Sequence, residues 1–154
     1  RQKLRDCGCN LEIDDEGITI TPGEIRGIDI TTQPFPGFPT DLQAPFMALL
    51  ATAQGTSVIT EKIYENRMQH VAELQRMGAS IRVQSNTAVV EGVAALSGAP
   101  VNGTDLRASA AMVLAALVAK GKSQVSGLDH LDRGYADIEA KLGRAGAKLS
   151  RRTP

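Results

Sequence analysis

An internal duplication constrains the fold of this 154-residue chain more than any other feature of its sequence. Residues 40–44, TDLQA, recur as residues 104–108, TDLRA, and the pair Asn66-Arg67 recurs as Asp132-Arg133. Repeated structural units bury their apolar faces against one another. Because the repeated positions carry charged residues, the duplication indicates a functional site as well as a repeated scaffold.

A shorter motif occurs three times and divides the chain further. A leucine, three intervening residues, a glycine, then alanine or cysteine and a short apolar run surround Gly8, Gly78 and Gly146. Glycine at the end of a helical stretch is typical of a helix C-cap, and Gly55 and Gly121 follow two other helical stretches. We therefore predict about two repeats preceded by a partial one, without an internal linker.

Composition excludes several classes of function. The formal net charge is zero and aromatic residues make up 3% of the chain, so neither a basic nucleic-acid surface nor a base-stacking platform is predicted. The longest apolar stretch, residues 108–119, is too short to span a membrane. Cys7 and Cys9 are too few for a zinc site, and we interpret them as reduced thiols in a cytoplasmic protein.

Alternating and β-branched residues predict strands, and apolar residues at helical spacing predict helices. The predicted strands are residues 10–13, 18–21, 28–31, 58–64, 80–83, 88–91 and 124–128, with a short last strand at 148–150. The predicted helices are residues 42–53, 67–77, 106–119 and 135–145, and residues 92–103 are a predicted loop. This order predicts an α/β or α+β fold whose repeats run strand–helix–strand–helix–strand–strand.

Two aspartates occupy matching places at the predicted starts of the two long helices. Thr40 and Thr104 are candidate N-caps, which puts Asp41 and Asp105 in first turns, where the helix dipole stabilises an acid. Capping alone could account for either aspartate. Their local sequence therefore leaves both a structural and a functional role open.

Arginines at helix starts are harder to explain as structural residues. Arg107 lies in the first turn of its predicted helix, while Arg67 and Arg133 each follow a candidate cap residue. A cation there opposes the helix dipole, whereas arginine together with unpaired N–H groups binds carboxylates and phosphates. We therefore predict a polyanion site with a proton acceptor, the alternative being that Arg67 and Arg133 merely pair with nearby acids.

The two histidines give weaker signals. His70 lies on a predicted helical face and is interpreted as a structural residue. His130 lies in a predicted loop close to Arg133, where it is placed to line the site.

These motifs resemble the C-terminal part of the UDP-N-acetylglucosamine enolpyruvyl transferases, also called UDP-N-acetylglucosamine 1-carboxyvinyltransferases. The resemblance covers essentially the whole chain. It rests on residues 38–44 (FPTDLQA), 63–68 (IYENRM), 104–109 (TDLRAS), 132–135 (DRGY) and Gly78-Ala79, which are ordered and spaced as in that family.

The resemblance implies an inside-out α/β barrel of repeated βαβαββ units, with strands outside and helices within. It also implies that residues 1–154 form most of one domain, an incomplete one, and that the N-terminal domain of the same protein is absent from this chain. The active site would lie in the cleft between the two domains.

The implied reaction transfers the enolpyruvyl group of phosphoenolpyruvate to the 3′-hydroxyl of UDP-N-acetylglucosamine, the first committed step of peptidoglycan synthesis. By resemblance, Asp41 is the acceptor of the hydroxyl proton, a task for a positioned carboxylate. Ile63 matches a position that contacts the UDP-sugar. Asp105 matches a second active-site acid, which transfers a proton or orients the arginines.

The resemblance also assigns the three arginines. Arg67, Arg107 and Arg133 match residues around the phosphate and carboxylate of phosphoenolpyruvate, and Arg133 is also counted as catalytic. The family's reactive loop cysteine and a phosphate-binding lysine belong to the absent domain, so Cys7 and Cys9 are not given that role. The isolated chain is therefore expected to be inactive, and neither metal nor cofactor is implied.

Three other interpretations stay open. The related 5-enolpyruvylshikimate-3-phosphate synthases share the implied fold, although the ENR and TDLR motifs fit the UDP-sugar enzymes better. The chain could instead be a non-catalytic anion-binding module. It could also be a structural repeat domain whose charges serve only as helix caps and ion pairs.

Overall fold

The computed structural model describes residues 1–21 and 23–152. The β-strands within them are β1 Asn10–Ile13, β2 Ile18–Thr21, β3 Ile30–Thr31, β4 Thr56–Thr60, β5 Ser80–Gln84, β6 Thr87–Glu91, β7 Pro100–Asn102 and β8 Gln124–Ser126. The α-helices are α1 Gln2–Asp6, α2 Gln43–Leu50, α3 Val71–Arg76, α4 Leu106–Val118, α5 Leu128–Asp132 and α6 Ile138–Arg144. A 3-10 turn, Thr40–Leu42, leads directly into α2.

The strands form small separate sheets. β1 pairs with β2 in an antiparallel hairpin, β7 lies parallel to β8, and the largest sheet has the order β3-β4-β6-β5. In the largest sheet β3 is parallel to β4, with Ile30 opposite Ile59, while β4 and β5 are both antiparallel to β6. A parallel pair needs a crossover connection, which α2 provides between β3 and β4 and α4 provides between β7 and β8.

The two crossover units are alike even in single backbone hydrogen bonds. Ahead of β4, the N–H of Gly27 donates to the carbonyl oxygen of Gln54 at 2.8 Å. Ahead of β8, the N–H of Gly98 donates to the carbonyl oxygen of Lys120 at 2.7 Å. The duplicated sequence therefore folds into a duplicated backbone.

Helices α2 and α4 pack against each other at the centre of the molecule. Met47 on α2, Met112 on α4 and Ile59 on β4 are all 0% exposed. Burying a side chain of this size stabilises the fold by roughly 1.5–3 kcal/mol. Most residues of α2 are buried, whereas β1 and β2 are largely exposed, so α2 lies inside the molecule and the β1–β2 hairpin lies at its surface.

Strand predictions from the sequence are most accurate for the antiparallel hairpins. The strands predicted at residues 10–13 and 18–21 coincide with β1 and β2, and those at 80–83 and 88–91 match β5 and β6 to within one residue. A local hairpin leaves a regular alternating pattern in the sequence.

The strands predicted around the parallel pairs are too long. The segment 58–64 leaves the sheet after Thr60, and only Ile30–Thr31 of the segment 28–31 is a strand. The segment 124–128 ends at Ser126, because Gly127 turns with φ of 76° and α5 follows at once.

One predicted loop contains a strand, and one predicted strand is irregular. The loop predicted at residues 92–103 contains β7, whose three residues are too few to show an alternating pattern. The strand predicted at residues 148–150 has no regular secondary structure.

Helix predictions were correct for the four longer helices, but two of those helices begin later than predicted. The segment 67–77 becomes α3 only at Val71, and the segment 135–145 becomes α6 only at Ile138. Asp137, inside the second of these segments, adopts a positive φ angle of 51°, which interrupts the helical backbone there. The short helix α5 was not predicted.

The predicted helix C-caps are confirmed for two of four glycines. Gly78 and Gly146 follow α3 and α6 with φ of 89° and 94°, the left-handed conformation of a C-cap. Gly55 and Gly121 have similar angles, but α2 and α4 have already ended at Leu50 and Val118. Those two glycines therefore turn the chain into the next strand.

Candidate functional site

Asp105 caps the N-terminus of α4. Its Oδ1 accepts hydrogen bonds from the backbone N–H groups of Arg107 at 2.8 Å and Ala108 at 3.1 Å. The prediction of Thr104 as the cap was therefore wrong by one residue. Because removing such a cap typically costs about 1 kcal/mol, Asp105 has a structural role in addition to any role with a ligand.

Asp41, the counterpart of Asp105, is not a helix cap. The 3-10 turn uses the first free N–H groups internally, since Leu42 donates to Pro39 and Gln43 donates to Thr40. Pro45, in the first turn of α2, has no N–H to offer. The carboxylate of Asp41 is therefore available for other partners.

Those partners are two arginines from different parts of the fold. Oδ1 of Asp41 lies 2.5 Å from Nε of Arg107 on α4 and 3.8 Å from Nη1 of Arg67. The side chain of Asp41 is 65% exposed, whereas those of Arg107 and Arg67 are 33% and 19% exposed. The two repeats thus meet at one cluster of an accessible carboxylate and two partly buried guanidinium groups.

Arg67 was predicted to lie at a helix N-terminus, and this prediction was wrong. It precedes α3 by several residues, with its guanidinium carbon 4.3 Å from the ring centroid of Tyr64 and its Nη1 donating to the hydroxyl of Thr40 at 2.6 Å. Of these two arginines, Arg107 therefore lies in the field of a helix N-terminus and Arg67 does not.

Arg133 was also predicted at a helix N-terminus, but it directly follows the C-terminus of α5. A cation is favourable at a helix C-terminus. Its neighbour Gly134 packs on Leu106, since an added Cβ would lie 2.8 Å from Cδ1 of Leu106. The backbone at Arg133 therefore runs beside the first residue of α4.

The alternative pairing of these arginines with adjacent acids is not what the structure shows. Arg67 pairs with Asp41, distant in sequence, and the carboxylate of Asp132 binds Arg151 at 2.7 and 2.9 Å. Local ion pairing therefore does not account for Arg67 or for the acid next to Arg133.

Glu61, directly after β4, is a buried acid that the sequence analysis missed. It is 2% exposed and accepts hydrogen bonds from the hydroxyls of Thr32 and Thr40 at 2.7 and 2.8 Å. Burial raises the pKa of Glu61, but the hydrogen bonds outweigh burial and hold the pKa below its usual range. The sequence feature that could have revealed it is an acid directly after a β-branched strand, at a position where the second copy has Gly127.

Ile63 lies in the segment that Glu61 holds in place. The backbone N–H groups of Ile63 and Tyr64 donate to Oε1 of Glu61 at 2.8 and 3.2 Å. This use of the Ile63 N–H leaves its carbonyl oxygen as the backbone group that can contact a ligand.

His70 is buried, in keeping with its predicted structural role, and lies next to the cluster. It is 5% exposed, and its Nε2 has no hydrogen-bond partner among the described residues. With Arg67, Asp105 and Arg107 it lines a cavity of about 10 Å³. His130, by contrast, lies within α5 rather than in a loop.

We expect the protein to lose stability as the pH falls from about 6.5 to about 4, because of His70. Burial lowers the pKa of His70 to about 4, with Asp105 opposing this shift. His70 is therefore protonated near pH 6.5 in the unfolded chain but only near pH 4 in the folded chain, so lowering the pH favours unfolding. Urea unfolding at pH 7 and pH 5 measures the difference, which should shrink in His70→Gln and persist in the control His130→Gln. An unchanged difference in His70→Gln would contradict this assignment.

The cysteines lie apart from this chemistry. Cys7 is buried at the end of α1, and burial, together with neighbouring Cys9, raises its pKa to about 11, so its thiol stays protonated at neutral pH. Within residues 1–21 and 23–152 no group of three His, Cys, Asp or Glu is placed to hold a metal ion.

The fold and the site define a class of protein: a repeat-built α/β scaffold that brings an acid and arginines of adjacent repeats into one cluster. The chain belongs to the enolpyruvyl transferase family described as EPSP synthase (3-phosphoshikimate 1-carboxyvinyltransferase), whose model matches residues 1–142.

Curated relatives are similar over nearly the whole chain. The UDP-N-acetylglucosamine 1-carboxyvinyltransferase of Prochlorococcus marinus (strain MIT 9313) is 74% identical over 153 residues, which are 99% of this chain and 35% of that protein. The protein of the same name from Synechocystis sp. (strain ATCC 27184 / PCC 6803 / Kazusa) is 60% identical over 97% of this chain and 34% of its own length. The chain thus spans about a third of these relatives, and the predicted resemblance is confirmed.

Solved structures confirm the predicted fold class. The enolpyruvyl transferase NikO from Streptomyces tendae superposes with a TM-score of 0.89 at 29% identity, covering 99% of this chain and 36% of NikO. EPSP synthase from Acinetobacter baumannii superposes with a TM-score of 0.59 at 17% identity, over 81% of this chain and 31% of that protein, which shows likeness of fold alone.

None of the helices described for residues 1–21 and 23–152 has the length and apolar character needed to cross a bilayer.

Proposed function

We propose that this chain forms part of the active site of an enolpyruvyl transferase that acts on phosphoenolpyruvate and UDP-N-acetylglucosamine. The observation that carries the proposal is the cluster in which Asp41 lies between Arg67 and Arg107. The name UDP-N-acetylglucosamine 1-carboxyvinyltransferase of relatives 74% and 60% identical supports this pair of substrates.

Asp41 is the proposed acceptor of the proton from the sugar 3′-hydroxyl. The hydroxyl oxygen bonds to C2 of phosphoenolpyruvate while a proton adds to C3, giving a tetrahedral ketal. Loss of a proton from C3 and of inorganic phosphate from C2 then restores the double bond. Because Asp41 is 65% exposed and both of its ion pairs use Oδ1, its carboxylate is accessible to the hydroxyl.

The arginines are the proposed partners of the phosphate and carboxylate of phosphoenolpyruvate. Guanidinium groups bind both anions in a bidentate fashion, and Arg67 and Arg107 are already oriented by Asp41. Arg133 would join them from beside the start of α4. Fixed cations stabilise the charge that develops on the leaving phosphate.

Asp105 and Ile63 are assigned supporting contacts. By capping α4, Asp105 fixes the backbone from which Arg107 projects, which favours the arginine-orienting role over proton transfer. Ile63 would contact the UDP-sugar through its carbonyl oxygen, because its N–H is bonded to Glu61.

The remaining substrate contacts are proposed to come from a separate N-terminal domain of the same protein. The relatives are about three times as long as this chain, which supports the proposal. We further propose that the protein acts in the cytoplasm in peptidoglycan synthesis.

A phosphate-release assay on the full-length protein tests the proposal. We expect turnover when phosphoenolpyruvate is supplied with UDP-N-acetylglucosamine, because both substrates can then bind at the cluster of Asp41, Arg67 and Arg107. This 154-residue chain alone should give no turnover, since contacts from outside it are needed. Turnover with 3-phosphoshikimate but not with the UDP-sugar would show the alternative synthase activity instead.

Absence of turnover with either acceptor would contradict the enzyme proposal. Amide chemical shifts of the chain, followed during titration with UDP-N-acetylglucosamine, then separate the two other interpretations. Shifts confined to the regions of Asp41, Ile63 and Asp105 would indicate a binding module, whereas no shifts at millimolar ligand would indicate a structural repeat.

A further inference from the structure

Glu61 joins three segments of the chain, two of which carry the proposed site residues Asp41 and Ile63. Its Oε1 accepts hydrogen bonds from the Thr32 hydroxyl at the end of β3 and from the backbone N–H groups of Ile63 and Tyr64. Its Oε2 accepts a hydrogen bond from the hydroxyl of Thr40, which directly precedes Asp41. Four hydrogen bonds hold the buried carboxylate of Glu61 in one orientation.

The carboxylate also fixes the direction of the Thr40 hydroxyl. An ionised carboxylate only accepts hydrogen bonds, so the single proton of Thr40 must point at Glu61. A lone pair of the Thr40 oxygen then faces Arg67, whose Nη1 donates to it at 2.6 Å. Were Thr40 to point its proton at Arg67 instead, two donors would face each other.

Among the described residues, three contacts hold the guanidinium of Arg67, and two of them therefore depend on Glu61. One is the hydrogen bond to Thr40, and the other is the stacking on Tyr64, whose backbone N–H is bonded to Glu61. The third contact is the 3.8 Å ion pair with Asp41.

Within the part of the second repeat that the structure describes, this arrangement has no equivalent. The N–H of Thr32 donates to Thr60 in the first unit, as that of Gly103 donates to Ser126 in the second. The residue after Thr60 is Glu61, whereas the residue after Ser126 is a glycine. An added Cβ on that glycine would lie 3.1 Å from the carbonyl carbon of Gly103, so the backbones there pack too closely for a side chain.

We propose that Glu61 is a positioning residue that fixes the guanidinium of Arg67 through the Thr40 hydroxyl and fixes the Ile63–Tyr64 segment through two backbone hydrogen bonds. The kinetic consequence rests on the proposed function, in which Arg67 binds phosphoenolpyruvate. The orientation of Arg67 does not rest on it, and can be measured without any substrate.

The kinetic test is a double-mutant cycle in the full-length protein. Glu61→Gln keeps the shape of the side chain but removes its charge, and Thr40→Val removes the hydroxyl. Each should lower kcat/KM for phosphoenolpyruvate by about 10–100-fold, the loss that a misplaced contact group causes. The double variant should lose no more than the more impaired single variant, because both changes break one chain of contacts.

Thr40→Ser keeps the hydroxyl and should recover most of the activity lost in Thr40→Val, which separates the hydroxyl from the bulk of the side chain. Glu91→Gln is the matched control, since Glu91 binds Arg82 on the strands β5 and β6 away from the cluster. It should leave kcat/KM unchanged. Losses that multiply in the double variant, or a Thr40→Ser variant as impaired as Thr40→Val, would overturn the proposal.

The second test follows the guanidinium resonances of Arg67 by nitrogen-15 NMR in the substrate-free protein. We expect signals protected from exchange in the parent protein and in Thr40→Ser, and loss of that protection in Thr40→Val and Glu61→Gln. Protection that survives in Thr40→Val would overturn the proposal, even if Glu61→Gln does not fold. A parent protein without turnover but with this pattern would contradict the proposed function and support the positioning role.

Discussion

We expect Asp41→Ala to lower kcat of the full-length protein by about 10²–10⁴-fold, the usual contribution of a positioned general base. The variant should fold normally, because the lost ion pairs involve a side chain that is 65% exposed and such pairs contribute about 1 kcal/mol or less. The measurements are phosphate release at saturating substrates and the urea midpoint of unfolding.

Asp15→Ala is the matched control for Asp41→Ala. Asp15 is an exposed acid between β1 and β2, so its loss changes the net charge equally without touching the cluster. Near-normal turnover in Asp41→Ala would remove Asp41 from the role of base. A large fall in its urea midpoint would instead attribute the loss to unfolding.

Gly27→Ala and Gly98→Ala should each destabilise the fold by about 1–3 kcal/mol or more, the cost of forcing extra atoms into a packed site. An added Cβ at Gly27 would lie 2.8 Å from the carbonyl carbon of Thr56, and one at Gly98 would lie 2.7 Å from that of Lys122. These neighbours are backbone atoms of the paired segments and cannot move aside. Urea unfolding of the two variants measures the effect.

Gly143→Ala is the control for these substitutions. Gly143 lies in α6 with open space where a Cβ would be added, so alanine should stabilise the helix by about 0.4–1 kcal/mol. Because Gly27 and Gly98 occupy equivalent places in the two units, their losses should be similar. A neutral Gly27→Ala beside a damaging Gly98→Ala would show that the units are not packed alike.

The sequence predicted the two aspartates but not how they differ. Identical TDL motifs gave Asp41 and Asp105 the same expected place in a first turn, and the structure makes only Asp105 a cap. The difference follows from a 3-10 turn and from Pro45, which together leave no N–H for Asp41. A local motif does not reveal which backbone donors are already used.

The sequence analysis grouped three arginines by their expected place at helix N-termini, and that reason applies to one of them. Only Arg107 lies in the first turn of an α-helix. Arg67 reaches Asp41 from an irregular segment, and Arg133 follows a helix that the sequence did not reveal. Family resemblance selected these residues where the dipole argument could not.

Glu61 and His70 show what sequence reasoning could not supply. Neither belongs to a repeated motif, and their partners lie on other elements: Thr32 and Thr40 for Glu61, and the start of α4 for His70. A buried acid and a solvated one look the same in a sequence, because burial depends on segments that meet only after folding.

The sequence by itself determined the duplication, the hairpins, the four longer helices and the family, since each of these is written in local patterns or in long ordered motifs. Only the tertiary structure decided that Asp41 faces two arginines while Asp105 caps a helix. It also decided that Glu61 is buried among hydrogen-bond donors, whereas Gly127, at the equivalent place, packs closely against Gly103. The physical reason is that hydrogen bonds and ion pairs depend on distances of a few ångströms between residues far apart in the chain, and those distances exist only once the chain has folded.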